Sequence, residues 1–315
     1  MTDRTDEILA PYDVILTGSY FIDLVFTGLP EMPQLGKDIF SQNLELVPGG
    51  AFYTALALRR LGVRSGWMCD VGEDIFSQMI LEACQEEGID TALFQHYPQP
   101  VRRVAAAFSF THERGFVSYY DPVEESAPAR LQDSLQCLRP TVLMLSNLWM
   151  GEELESAMAM RKAYGLRIYM DCQDTDCTLK TPGMVEGLRA VDVFGPNARE
   201  AMCITGQATP VDALDALADY TPLVVVKCGG QGVIARQGKQ FYRIPALQVN
   251  VVDTTGAGDS FNAGFVFGWL RDEPLERCLM FGNICGGLAV TAVGNRAIPN
   301  RDKLLELAGQ YASLI

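Results

Sequence analysis

The chain has 315 residues, 48% of them hydrophobic and 20% charged, an ordinary globular composition with enough apolar content for a large core. Its formal net charge of −14 argues against a nucleic-acid backbone or an anionic membrane surface as the main partner, because both are also negative. The polar segment 1–11 lacks the features of a secretory signal, and nine scattered cysteines are typical of thiols in a reducing cytosol. Apolar runs are too short to span a bilayer, so we expect a cytoplasmic protein.

Short apolar runs, typical of buried strands, alternate along the chain with amphipathic runs, typical of helices. The predicted strands are residues 14–17, 65–69, 142–145, 166–170, 191–194 and 223–226. The predicted helices are residues 52–61, 74–87 and 152–164, each followed by a glycine that can end it. Such alternation predicts an α/β fold, in which a parallel sheet has helices on both faces.

Two further segments do not fit this alternation. Residues 39–47 and 104–120 read as extended, partly exposed strands with no helix between them, so we expect a small accessory sheet. There are no internal repeats and no flexible linkers, and we therefore expect one domain over residues 1–315.

Polar side chains follow several of the strand-like runs. Asp171, Asn197, Lys227 and Asp253 each stand directly after such a run. Ligands of parallel sheets bind beyond the carboxyl ends of the strands, so we expect these side chains to converge there.

The most specific segment, residues 252–265, reads as a strand end, a glycine turn and the start of an apolar helix. Gly256 and Gly258 allow a turn whose N–H groups form an anion-binding nest, and the following helix adds its positive end. Asp259, on the first helical turn, is therefore a candidate base that activates a hydroxyl for phosphoryl transfer. The alternative is that Asp259 only caps the helix. Phe261 stands where a dinucleotide fingerprint has its third glycine, and the segment also lacks a P-loop lysine.

The whole of this segment resembles the C-terminal signature of the ribokinase family, the PfkB-type carbohydrate kinases. Residues 18–23, 48–55, 197–200 and 227–232 are similar to other motifs of that family. The resemblance implies a ribokinase-like three-layer sandwich with a mostly parallel central sheet. It also implies a small β-sheet lid, formed by segments of about 20–48 and 98–121, which often pairs between subunits, so a homodimer is expected.

The resemblance also implies roles for individual residues. The catalytic group is Asp259 as the base, with Gly256, Ala257 and Gly258 as the anion hole. The acceptor-binding residues are Asp23, Gly49, Gly50 and Thr54. Thr54 stands where the family usually has an Asn that bonds the sugar, which leaves the identity of the acceptor open.

Nucleotide and metal sites follow from the same resemblance. The ATP-binding positions are Asn197, Glu200, Lys227, Gly229, Gly232 and Asn283. Asn197 and Glu200 would order Mg²⁺ through its waters, although this pair could equally be an N-cap with a first-turn carboxylate. Asp253 and Thr255 match a loop that binds K⁺ in several members. A departure is Gln173, which stands where many relatives have an Asn.

The expected reaction is ATP-dependent phosphorylation of a hydroxyl on a small sugar or sugar derivative. One alternative is a nucleoside kinase of the same fold, and another is a non-catalytic sugar or nucleotide sensor. For the nucleoside kinase, the aromatic residues that could stack on a base are Phe52, Tyr53, Phe108, Phe110 and Tyr119. Arg102 and Arg103 could supply a charge to substrate or phosphate, but we interpret them as solvated charges at a sheet edge. Asp74 is interpreted as a helix cap.

Overall fold

The computed structural model describes residues 11–109, 114–123, 127–173 and 175–311. Its strands, in chain order, are β1 Val14–Thr17, β2 Tyr20–Thr27, β3 Asn43–Gly50, β4 Ser65–Met68, β5 Asp70–Val71, β6 Gln95–His96, β7 Arg103–Ser109, β8 Arg114–Tyr120, β9 Val142–Leu145, β10 Arg167–Met170, β11 Val193–Phe194, β12 Leu223–Lys227, β13 Val233–Gln237 and β14 Gln240–Ile244. Its α-helices are α1 Ala51–Arg60, α2 Ile75–Glu87, α3 Ala127–Leu138, α4 Glu155–Tyr164, α5 Met184–Ala190, α6 Ala198–Thr205, α7 Pro210–Leu217, α8 Ala257–Trp269, α9 Leu275–Ala289 and α10 Arg301–Tyr311.

The large sheet has the strand order β14-β13-β12-β11-β10-β9-β1-β4. Strands β4 to β12 in this order are parallel, and the hairpin β13–β14 adds two antiparallel strands at one edge. The parallel α/β sheet predicted from the alternation is therefore confirmed, whereas the hairpin was not predicted. The strand expected directly before Asp253 is wrong, because residues 245–256 form a loop.

Helices cover both faces of this sheet, which explains why its strands read as unbroken apolar runs. On β1, Val14 and Leu16 belong to one core cluster, which also contains apolar side chains of α1, α8 and α9. Ile15 points to the other face, into a second cluster with side chains of α3 to α7. The two clusters make the molecule a three-layer sandwich, as expected from the resemblance.

The small sheet has the order β3-β2-β7-β8 and lies in the two segments expected to form it. β2 pairs antiparallel with β3 and parallel with β7, and β7 pairs antiparallel with β8. Because side chains alternate between the faces, the register defines an inner face that carries Asp23 and an outer face. The exposed apolar residues of the outer face are Leu44, Leu46, Val117 and Tyr119.

No helix of the described residues is long and apolar enough to cross a bilayer.

Asp74 joins α2 to the small sheet. Its Oδ1 accepts hydrogen bonds from the backbone N–H groups of Phe76 and Ser77 at 2.9 and 3.0 Å, so the predicted helix cap is confirmed. Its Oδ2 accepts from the backbone N–H of Val101 at 2.9 Å, in the segment that leads into β7. One carboxylate therefore satisfies donors from two elements.

We predict that Asp74→Ala lowers the free energy of unfolding by about 2–3 kcal/mol, because it removes a helix cap and a bond to a second segment. Urea denaturation measures the change. Asp133→Ala, at an exposed position of α3, is the control and should leave stability almost unchanged. An equal loss in the two variants would contradict this role of Asp74.

Candidate active site

The carboxyl ends of β10, β11 and β12 bring three of the predicted polar residues together. Lys227 Nζ donates to Asp171 Oδ1 at 2.7 Å, and the backbone of Lys227 forms a bridge with Asn197. The expected convergence is therefore confirmed for these three residues. Asp253 lies in the loop before α8 and is bound elsewhere, to Gly294, as described below.

The glycine turn at the start of α8 packs against Tyr53 and lies beside Lys227. Gly256 is the N-cap residue of α8 and has φ 71°, a left-handed conformation that favours glycine. A Cβ at Gly256 would also lie 2.4 Å from Cδ1 of Tyr53, so the ring of Tyr53 packs directly on this turn. A Cβ at Gly258 would lie 3.5 Å from Nζ of Lys227. The first turn of α8 thus places backbone N–H groups beside an ammonium group, an arrangement suited to an anion.

Asp259 is half-buried in this turn, and Thr54 Oγ1 donates a hydrogen bond to its Oδ1 at 3.1 Å. Burial is the main cause that raises the pKa of Asp259 to about 6, and the negative charge of Asp171 raises it further. The ammonium of Lys227 and the bond from Thr54 act in the opposite direction. Because Gly256 occupies the N-cap position, the alternative that Asp259 caps the helix is wrong. Its carboxyl group has the proton affinity that a general base needs near neutral pH.

Two residues that sequence reasoning missed complete the surroundings of Lys227. Asn262 Oδ1 accepts from Lys227 Nζ at 3.1 Å and from the hydroxyl of Tyr169 at 2.6 Å. The Nδ2 of Asn262 donates to Asp171 Oδ2. The signal that could have found Asn262 is its amide in an otherwise apolar helix, since a buried amide needs polar partners. Four side chains therefore form one buried network beside Asp259.

The expected acceptor residues form a continuous path from the small sheet to α8. The carboxylate of Asp23 is only 6% exposed and lies against Gly49, where a Cβ would come within 2.4 Å of Oδ2. Gly50 has φ 63°, and a Cβ there would lie 2.5 Å from the carbonyl oxygen of Ser19. α1 starts at the next residue and brings Thr54 to Asp259. Both glycines are thus required by close approach of neighbouring atoms.

Asn197 and Glu200 form a capping box at the start of α6. Glu200 N–H donates to Asn197 Oδ1 at 2.9 Å, and Asn197 N–H donates to Glu200 Oε2 at 2.8 Å. The interpretation as an N-cap is therefore confirmed. Carboxylate and amide oxygens are also donors that Mg²⁺ accepts, so the pair fits the ion chemically. Within the described ranges no three His, Cys, Asp or Glu residues are grouped to hold a metal.

The other expected nucleotide residues lie around the turn after β12 and on α9. Gly229 is exposed with φ 54°, whereas Gly232 is buried, and a Cβ there would lie 2.1 Å from the carbonyl oxygen of Ile244. Asn283 Nδ2 donates to the carbonyl oxygens of Ile244 and Pro245 at 3.1 and 2.9 Å. Gly232 and Asn283 therefore both hold the chain at the end of β14.

Asp253 and Thr255, the expected K⁺ positions, lie close to the loop after α9. Asp253 Oδ1 accepts from Thr255 N–H at 2.9 Å, and its Oδ2 accepts from Gly294 N–H at 3.1 Å. Val252 N–H donates to the carbonyl oxygen of Val290 at 2.7 Å. These bonds connect the loop before α8 with residues 290–294.

The structure contradicts four of the five expected stacking residues. Phe52 and Tyr53 are wrong as stacking residues, because both are buried in the main core. Phe108 stacks on Phe26, and Tyr119 is exposed, with both on the outer face and therefore turned away from Asp23. The fifth candidate, Phe110, lies outside the described residues.

The two arginines at the start of β7 differ. Arg102 is exposed and pairs with Asp121 at 2.9 Å, as expected of a solvated edge charge. Arg103 is only 8% exposed, so its interpretation as a solvated charge is wrong. Its place at the base of the small sheet, on the inner face, accounts for the burial.

Comparison with known proteins places these observations in a family. The family model described as pfkB family carbohydrate kinase matches residues 16–302. Ribokinase of Bacillus subtilis is 26% identical over 301 residues, which cover 94% of this chain and 99% of the relative. A cytidine kinase of Thermococcus kodakarensis is 28% identical over 272 residues, which cover 83% of this chain and 93% of the relative.

Solved structures share the fold. Ribokinase of Thermotoga maritima superposes with a TM-score of 0.76 at 21% identity, covering 95% of this chain and 99% of that chain. Ribokinase of Arabidopsis thaliana, solved with ribose and ATP, gives a TM-score of 0.77 at 22% identity and covers 94% of this chain and 98% of that chain. Because the family model spans most of the sequence, the chain belongs to the pfkB family of carbohydrate kinases and is a phosphotransferase with a ribokinase-like α/β fold.

Proposed function

We propose that the chain transfers the γ-phosphoryl group of ATP to a hydroxyl of a small sugar or sugar derivative, with Asp259 as the general base. The observation that carries this proposal is a carboxyl group with its pKa raised to about 6 beside the glycine turn of α8. A carboxyl group with that pKa is mostly ionised at neutral pH and still basic enough to take a proton. Relatives named ribokinase support a sugar as the acceptor.

Proton and phosphoryl transfer then proceed between groups that the fold holds close together. Asp259, oriented by Thr54, takes the proton of the acceptor hydroxyl as its oxygen forms a bond to the γ-phosphorus. The bond from that phosphorus to the bridging oxygen breaks, and ADP leaves. The N–H groups of Gly256, Ala257 and Gly258 stabilise the negative charge of the transferring group, as an anion hole does. The ammonium of Lys227, adjacent to Gly258, adds a positive charge.

We assign the remaining expected residues to the ligands. Asn197 and Glu200 would hold Mg²⁺ through water, where it would supply positive charge to the phosphates. Gly229, Gly232 and Asn283 form the nucleotide side, while Asp253 and Thr255 are the K⁺ positions. On the acceptor side, Asp23 accepts hydrogen bonds from hydroxyls beside Gly49 and Gly50, since a carboxylate can accept several at once. The small sheet acts as the lid of a single domain over residues 1–315.

Of the alternatives, the nucleoside acceptor loses most of its aromatic basis, because the four described side chains proposed for stacking are buried or face outward. The raised pKa of Asp259 favours a catalyst over a sensor, since a sensor needs no base.

All nine cysteines, at positions that the structure describes, are free thiols, which supports a cytoplasmic location.

We further propose that the outer face of the small sheet forms a homodimer interface. This face presents several apolar side chains to solvent, among them Leu46 and Val117. Exposed apolar patches and sheet edges of this kind commonly mark protein–protein contacts.

Asp259→Asn should lower turnover by about a hundredfold or more, because the amide cannot accept the hydroxyl proton, while MgATP binding is retained. Release of ADP with the preferred acceptor measures turnover, and calorimetry measures ATP binding. Asp219→Asn, at an exposed position, is the matched control. Near-normal turnover in a folded Asp259→Asn variant would rule out this residue as the base.

The pH profile of kcat/KM should fall on the acid side with an apparent pKa of about 6, because Asp259 must be deprotonated to act. In Lys227→Met this limb should move to higher pH, since the ammonium lowers the pKa of Asp259. Lys239→Met, which removes an exposed ammonium, should leave the profile in place. An unchanged acid limb in Lys227→Met would refute the electrostatic coupling.

Leu46→Glu should convert the dimer to a monomer, because it places a charge in the apolar outer face. Analytical ultracentrifugation compares the variant with the wild-type chain and with a control, Leu305→Glu, at an exposed position of α10. A monomeric wild type, or a dimeric Leu46→Glu variant, would eliminate this interface.

A further inference from the structure

Arg103 is a buried charge on the acceptor side of the small sheet. In the parallel register of β2 and β7, Asp23 pairs with Ala105. Arg103 stands two residues before Ala105, so its side chain leaves the sheet on the same inner face as Asp23. Arg103 therefore points toward the space between the small sheet and the strand ends of the large sheet.

The contacts of Arg103 place its guanidinium at that space. Arg103 Nη1 donates to Ser19 Oγ at 2.5 Å. Ser19 follows Gly18 in the short connection from β1 to β2, beyond the carboxyl end of β1. A Cβ at Gly18 would lie 2.9 Å from Oγ of Ser146, which follows β9 at the same edge. Ser146 Oγ is buried and has no hydrogen-bond partner among the described residues.

Arg103 shares its nearest described carboxylate with a second arginine. Arg130 Nη2 lies 2.5 Å from Asp70 Oδ1, whereas Arg103 Nη2 lies 3.7 Å from Asp70 Oδ2, too far for a hydrogen bond. Over the described ranges, these are the ion pairs of both arginines, so two guanidinium groups share one carboxylate. The Nε atoms of both arginines are buried and have no partner there. A buried guanidinium with unused donors is unfavourable unless an acceptor group joins it.

If Arg103 served only to stabilise the fold, we would expect it to pair more closely with Asp70. Asp70 accepts a hydrogen bond from Arg130 and none from Arg103, so this carboxylate leaves the donors of Arg103 available. The planar guanidinium instead offers its remaining N–H groups toward the acceptor side, in the geometry that matches carboxylate and phosphate oxygens.

We propose that the acceptor carries an anionic group, a carboxylate or a phosphate ester, which Arg103 binds together with the hydroxyls of Ser19 and Ser146. The acceptor class is then sugar acids or sugar phosphates, and Arg103 selects them over neutral sugars. Asp23 binds hydroxyls at the other end of the same inner face. This inference rests on the proposed function, because it names the class of its acceptor.

The test uses the full chain with MgATP and matched acceptor pairs that differ in one charged group. The pairs are D-gluconate with D-glucose, D-ribonate with D-ribose, D-ribose 5-phosphate with D-ribose, and D-fructose 6-phosphate with D-fructose. For the preferred acceptor, kcat/KM of the anionic member should exceed that of its neutral partner by about a hundredfold. The acid pairs and the phosphate pairs tell the two kinds of anion apart.

Substitution of Arg103 supplies the second readout. Arg103→Gln should raise KM for the anionic member by about tenfold to a hundredfold, while kcat and the neutral partner change little. Arg102→Gln, which removes the exposed neighbouring charge, is the matched control and should behave like the wild-type chain. A preference for the neutral members, or an equal rise in KM for both members of a pair, would overturn the inference and leave the kinase proposal intact.

A binding measurement separates the two proposals from each other. The melting temperature of the ATP-free chain should rise with the anionic compound, and Arg103→Gln should lose this rise. If no compound is phosphorylated but this Arg103-dependent rise is seen, the kinase proposal fails and the anionic site stands. If the anionic compounds stabilise both chains equally or neither, the site proposal is refuted.

Discussion

The buried ion pair between Lys227 and Asp171 is the interaction on which the rest of the site depends. It joins the carboxyl ends of β12 and β10, and through Asn262 it extends to α8. A pair so removed from water is costly to form and even more costly to break, because loss of one partner leaves the other charge unpaired. The network therefore holds the first turns of α8 in place against the sheet.

The same pair also sets the acidity of the neighbouring carboxyl group. Asp171 raises the pKa of Asp259 and Lys227 lowers it, while burial is the largest cause of the raised value. The ammonium and the carboxylate therefore both act on the carboxyl group that we propose as the base, beside the glycine turn of α8.

Sequence patterns predicted the central layers and the start of α8 because those features are local. The unbroken apolar run of β12 and the glycine turn before Asp259 can each be read within a few residues. The bond from Thr54 to Asp259 joins residues 205 positions apart, and only the assembled fold shows it. Burial of Arg103 and of Tyr53 was missed for a related reason, since what covers a side chain belongs to another element. At Asn197 the local pattern predicted the helix cap correctly. The proposed Mg²⁺ role would use the same side-chain oxygen.

The contact between Tyr53 and Gly256 has a consequence for how relatives of this chain can diverge. Position 256 needs glycine for its backbone angle as well as for space, so it has no freedom to compensate for a change elsewhere. Position 53 must then absorb every change of volume at this junction alone. A smaller side chain at position 53 would leave the turn intact, whereas a side chain at position 256 would collide with the ring and strain the backbone.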